Sequence, residues 1–130
     1  GKFDDAAEVA QRENKVIELE ESPKKYQKLS KENLIIATMA QAGFTKQSEF
    51  LAGEIQNELA KRFTIPNRGV KQAGFHVLVG ASMPNVLVEL GFITNKNDRR
   101  LLSQSKYRQK MADAMFDAIS KYKDEYEKNL

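Results

Sequence analysis

Two short apolar runs rich in β-branched residues, Phe75-His76-Val77-Leu78-Val79 and Val86-Leu87-Val88, constrain the fold of this chain more than any other feature. Runs that are apolar at consecutive positions read as strands covered on both faces, and such strands belong in a mostly parallel sheet flanked by helices. Two strands alone do not make a stable sheet of that kind. The expected fold is therefore α/β, with helices packed on a mixed, mostly parallel sheet of which only the C-terminal part is present in this chain.

The rest of the chain reads as helix. Between residues 6 and 17 the apolar positions Ala6, Val9, Ala10, Val16 and Ile17 recur at three- and four-residue steps among polar ones, the pattern of a surface helix. Residues 18–32 are strongly charged and contain Ser22-Pro23-Lys24-Lys25, which predicts a chain break and a solvated, mobile or regulatory loop. Residues 34–42 form a compact apolar stretch closed by Gly43. Residues 46–63 then place Leu51, Ile55, Leu59 and Phe63 on one stripe ahead of Pro66, so two helices are expected here. From residue 98 onwards Leu101, Tyr107, Met111, Ala114, Met115, Ala118, Ile119 and Tyr122 keep helical spacing nearly to the end. With 130 residues and 41% hydrophobic content the chain suffices for one core, so residues 1–130 are expected to form a single unit.

Composition removes several chemistries. The absence of cysteine excludes disulfides, thiolate catalysis and cysteine-based zinc sites. Lys and Arg total 21 against 18 Asp and Glu, and the two signs are interspersed, which describes a solvated surface and no nucleic-acid footprint. No apolar run reaches the roughly 18 to 20 residues of a membrane span. The start, Gly1-Lys2-Phe3-Asp4-Asp5, lacks the apolar stretch of a signal peptide, so the signal of an exported parent would have been removed or lie elsewhere.

The sharpest local signal is Met83-Pro84-Asn85-Val86-Leu87-Val88-Glu89-Leu90-Gly91-Phe92-Ile93-Thr94-Asn95, where one carboxylate interrupts an apolar strand that ends in a glycine turn. A buried carboxylate is costly unless it is paired or used. Glu89 sits at the carboxyl end of the expected strand, where open α/β sheets bind ligands, and a raised pKa there would suit it to general acid and base work. The structural alternative is a Glu89 ion-paired to Arg99, Arg100 or Lys71. Asn67, Arg68 and Lys71 flank this region without an assigned role.

Gly69-Val70-Lys71-Gln72-Ala73-Gly74-Phe75, then Val77-Leu78, then Met83-Pro84 through Asn95 resembles the closing signature of the zinc-dependent N-acetylmuramoyl-L-alanine amidases (amidase type 3). The similarity extends through Leu101-Leu102 and the Tyr107-Arg108-Gln109 helix. Residues 6–63 resemble, more loosely, the helical section that precedes the signature. The resemblance implies a peptidoglycan hydrolase that cuts the amide between N-acetylmuramic acid and the first alanine of the stem peptide. It implies that Glu89 is the catalytic carboxylate, working with a zinc-bound water, and that the enzyme acts at the cell envelope, periplasmic or secreted. A non-catalytic module that binds peptidoglycan or a partner protein is the alternative.

The zinc ligands of the family, two histidines and a glutamate, lie before the matched region, and this chain has one histidine, His76, read as packed or hydrogen-bonded. No metal ligand is therefore expected in this chain. The reading that follows is a C-terminal portion of a larger catalytic domain, inactive alone and partnered by its missing N-terminal half or by an oligomer. The acidic run at 18–23 falls where some family members insert a helix that covers the zinc until an activator protein binds; a solvated acidic loop is the other reading.

Overall fold

The computed structural model describes residues 2–16, 19 and 31–130. Five α-helices account for most of them: α1 (Lys2–Val16), α2 (Lys31–Gly43), α3 (Thr45–Arg62), α4 (Lys96–Leu102) and α5 (Ser105–Lys128). Apart from Leu19, Lys31 and Glu32, the loop expected at 18–32 lies outside the described residues, as does Ile17. The described residues fall into two compact groups, one drawn from 1–46 and 71–85 and the other from 47–70 and 86–130.

The second group holds the larger core. Ile55 and Leu59 of α3 are buried against Met111, Ala114 and Ala118 of α5, and Leu51, Phe63, Tyr107 and Met115 pack around them. The expected stripe on α3 is thus the face that the helix buries. Ala114 and Ala118 end at Cβ and are fully buried, and the fully buried Met111 fills the space beside them. Contacts between α3 and α5 run in opposite order along the two helices, from Phe50 with Tyr122 to Phe63 with Tyr107, so they are antiparallel. Truncating Met111 or Leu59 to alanine in such a core removes about 2–5 kcal/mol.

An ion cluster lies between the same helices. Glu58 is the one buried charged side chain among the described residues, and its carboxylate accepts hydrogen bonds from Lys121, from Lys61 at 3.0 Å and from Arg62 at 3.4 Å. Arg62 also pairs with Asp117. The ammonium of Lys121, then that of Lys61, pulls the Glu58 carboxyl from its ordinary 4.5 down to about 2.

In the first group α1 buries Ala6 and Ala10, and its Asn14 side chain reaches the 72–76 segment. The Asn14 amide donates to the carbonyl of Gly74 at 2.9 Å and accepts the backbone N–H of His76 at 2.8 Å. On α2 the side chains of Ile35, Ile36 and Met39 are exposed. Phe44 alone joins α2 to α3, its N–H turning back to the Gln41 carbonyl at 3.0 Å.

The expected sheet is not there: no strand occurs among the described residues. A strand exists only where a neighbour about 4.8 Å away takes its N–H and C=O groups, and neither candidate run has one. Residues 75–79 close on themselves as a 3-10 turn, His76–Leu78, with Leu78 N–H bonded to Phe75 O and Val79 N–H to His76 O, both at 3.1 Å. Residues 84–92 carry no ladder and no helix. The fold described is helical, with an unpaired segment laid along the α3 and α5 core. The single C-terminal helix expected from residue 98 is also divided, because Gln104 is extended (φ −84°, ψ 121°) and separates α4 from α5.

Candidate functional site

The segment 86–90 is where Glu89 is placed, and it is organised with a period of two. Val86, Val88 and Leu90 are half-buried and pack against the α3 and α5 core. Leu87 and Glu89 are exposed, so alternate side chains face opposite ways, as they do in an extended chain. Glu89 is therefore on the open side of a segment anchored from behind. This corrects the buried setting expected for it. Its carboxylate makes no ion pair or side-chain hydrogen bond with any described residue, so pairing with Arg99, Arg100 or Lys71 is not what holds it.

The residues after Glu89 lock the segment. Gly91 has φ +150°, and a Cβ there would lie 3.2 Å from the Asp98 carboxylate. That carboxylate accepts the Phe92 N–H at 2.9 Å. The Asn95 N–H bonds to the Phe92 carbonyl at 2.9 Å, and the Asn95 side chain caps α4 by accepting from Asn97 N–H at 2.9 Å and Asp98 N–H at 3.1 Å. Asp98 and Asn95 thus satisfy backbone donors that the turn would otherwise leave open. Neither the Asn95 cap nor the return bond from Asp98 to Phe92 was read from the sequence.

Arg68 meets the same run. Its guanidinium carbon lies 5.2 Å from the centre of the Phe92 ring. The turn that carries it is set by Asn67, whose side chain accepts the Gly69 N–H at 2.8 Å, and by Gly69 at φ +75°, a conformation that favours glycine. Sequence reasoning left Arg68 unassigned because nothing in spacing alone shows an arginine lying over a ring 24 residues away.

Among the described residues no group of three His, Asp or Glu side chains could hold a metal ion. His76 is exposed on the 3-10 turn, and its backbone N–H is held by Asn14. The described residues do not fit a zinc site. In the first group a depression of about 320 Å³ beside Asn14, lined also by Gln11, Gln72 and small residues, contains no titratable side chain and so offers hydrogen bonding only. No helix among the described residues is long and apolar enough to cross a membrane.

Comparison with known proteins gives this geometry its context. The family model described as N-acetylmuramoyl-L-alanine amidase matches residues 12–121. An uncharacterized Bacillus subtilis protein, YqiI, is 42% identical over 80 residues, covering 62% of this chain and 39% of that protein. The N-acetylmuramoyl-L-alanine amidase LytC of Bacillus subtilis is 44% identical over 75 residues, 58% of this chain and 15% of LytC. The N-acetylmuramoyl-L-alanine amidase AmiA of Escherichia coli is 34% identical over 88 residues, 68% of this chain and 30% of AmiA. The chain thus spans well under half the length of these relatives. No solved structure matches it.

Proposed function

This chain belongs to the N-acetylmuramoyl-L-alanine amidase family, and from that premise we propose that it is the C-terminal portion of a catalytic domain that cleaves the amide joining N-acetylmuramic acid to L-alanine in peptidoglycan, with Glu89 as general acid and base. The observation that carries this reading is the setting of Glu89. It is a carboxylate without a partner among the described residues, exposed on a segment whose alternate side chains are fastened to a helical core.

The chemistry asks for that arrangement. An attacking water loses a proton as its oxygen bonds to the amide carbon, and the nitrogen gains a proton as the carbon–nitrogen bond breaks. One carboxylate that takes the first proton and delivers it to the nitrogen balances both steps. A side chain already engaged in an ion pair would have to break that pair first. Anchoring by Val86, Val88 and Leu90 fixes the backbone of Glu89 without touching its carboxylate.

On this reading the zinc ligands of the domain come from outside this chain, and the chain alone is inactive. The setting of the work is the cell envelope, periplasmic or secreted, where peptidoglycan is found.

The test is muropeptide-amide cleavage and zinc content, measured on this chain and on the longest natural form of the protein, with Glu89→Gln as the variant. Zinc and cleavage are expected only in the longer form, and Glu89→Gln is expected to lower kcat by about 10²- to 10⁴-fold. Wild-type rates in the variant would remove Glu89 from the chemistry. Absence of cleavage in both forms, with retained affinity for glycan fragments, would leave a non-catalytic binding module.

A further inference from the structure

The amidase reading gives Glu89 a role and leaves Arg68 without one. Arg68 is exposed, and its guanidinium forms no ion pair with any described residue. Arg99 and Arg100 on α4 are also exposed and unpaired among the described residues, but neither is held over a ring, and two other arginines are already engaged. Arg62 is engaged by Glu58 and Asp117, and Arg108 donates to the Leu102 carbonyl at 2.8 Å. What holds Arg68 is the Phe92 ring.

That mode of holding has a chemical consequence. A ring attracts the cation through its face and occupies none of the five N–H donors. The guanidinium is positioned while its edge stays open, and two parallel N–H groups on that edge match the two oxygens of a carboxylate. Both ends of the contact are themselves fixed. Asn67 and Gly69 set the turn beneath Arg68, and Asp98 and Asn95 hold the backbone of Phe92.

We propose that Arg68 is a specificity-determining residue that binds a free carboxylate of the stem peptide, the one borne by the residue that follows the alanine at the cleaved amide. This rests on the amidase reading and deepens it. Phe92 lies three residues beyond Glu89, a separation of at most about 11 Å along an extended chain. The carboxylate of the second stem residue lies about two residues, or at most about 7 Å, from the amide on which Glu89 acts. Stacking on Phe92 thus ties the Arg68 guanidinium to the same segment that carries Glu89.

The test uses two probes that differ in one group, N-acetylmuramoyl-L-alanyl-D-glutamate and its α-carboxamide counterpart. Binding of each to the 130-residue chain is followed by NMR titration, and KM and kcat for the corresponding muropeptides are measured on the longer natural protein. The wild type is expected to favour the carboxylate by about tenfold, as a charge-assisted bidentate contact would. Arg68→Gln is expected to bind both probes equally and to raise KM for the acidic substrate with kcat unchanged. Arg68→Lys, which keeps the charge and loses the fork, keeps part of the preference. Equal binding of the two probes by the wild type, no binding of either, or an undiminished preference in Arg68→Gln would each overturn the proposal. Glu89→Gln separates this outcome from the amidase reading, because it lowers kcat and leaves the ratio between the probes in place.

Discussion

At the scale of single residues, the run from Glu89 to Asp98 shows one side chain setting another's position through the backbone. Gly91 is at φ +150° with the Asp98 side chain 3.2 to 3.3 Å from where a Cβ would stand. Gly91→Ala is expected to lower stability by about 1–3 kcal/mol, since both the backbone conformation and the contact oppose the methyl group. Urea unfolding of the variant against the wild type measures it, and an unchanged midpoint would show that the turn adapts. The position of Glu89 ahead of a glycine turn was legible in the sequence. Its exposure was not, because Val86-Leu87-Val88 is apolar at every position and conceals which members face the core. The pairing of Arg68 with Phe92 was out of reach as well, since it depends on how two turns far apart in sequence meet.

At the scale of elements, α3 and α5 were the most legible parts, because each carries a stripe at helical spacing that the other buries. The charged residues between them were not, as Glu58 looks in sequence like any surface carboxylate on a helix. Its pKa is depressed, so the stability it contributes is fully present above the unfolded value near 4.5 and is lost as pH falls towards about 2. Wild-type stability should therefore decline across that window, and Glu58→Gln should be less stable at neutral pH and flatter with acid over the same range. Thermal unfolding between pH 2 and 7 checks this, and parallel curves for the two proteins would show the cluster to be incidental. The division between α4 and α5 carried no glycine or proline to announce it. The Arg108 guanidinium, which takes the free Leu102 carbonyl at 2.8 Å, explains how the break is tolerated.

At the scale of the whole molecule, the sheet expectation failed for a reason that belongs to sheets. A helix satisfies its backbone within itself, whereas a strand is defined by its neighbour, so two strand-like runs without one become a 3-10 turn and an unpaired segment. The exposed side chains lead in the same direction. Ile35, Ile36 and Met39 on α2 and, in the other group, Phe116 and Ile119 on α5 and Ile93 are all more than half exposed, which leaves apolar side chains in each group open to association. The isolated chain is therefore expected to self-associate as its concentration rises through the micromolar range, and Phe116→Ser with Ile119→Ser should reduce this. Sedimentation velocity gives the answer, and a monodisperse wild-type monomer would show that these side chains are tolerated in water.

The alternation along residues 86–90 also governs how this chain can change length over evolutionary time. Adding or deleting one residue between Val86 and Glu89 would reverse the parity of the segment, sending the carboxylate towards the core and a valine out to solvent. Changes of two residues would preserve the facing. Homologous chains that keep the carboxylate should therefore differ here by even-numbered insertions, while substitutions at the outward position 87 pass without consequence for the core.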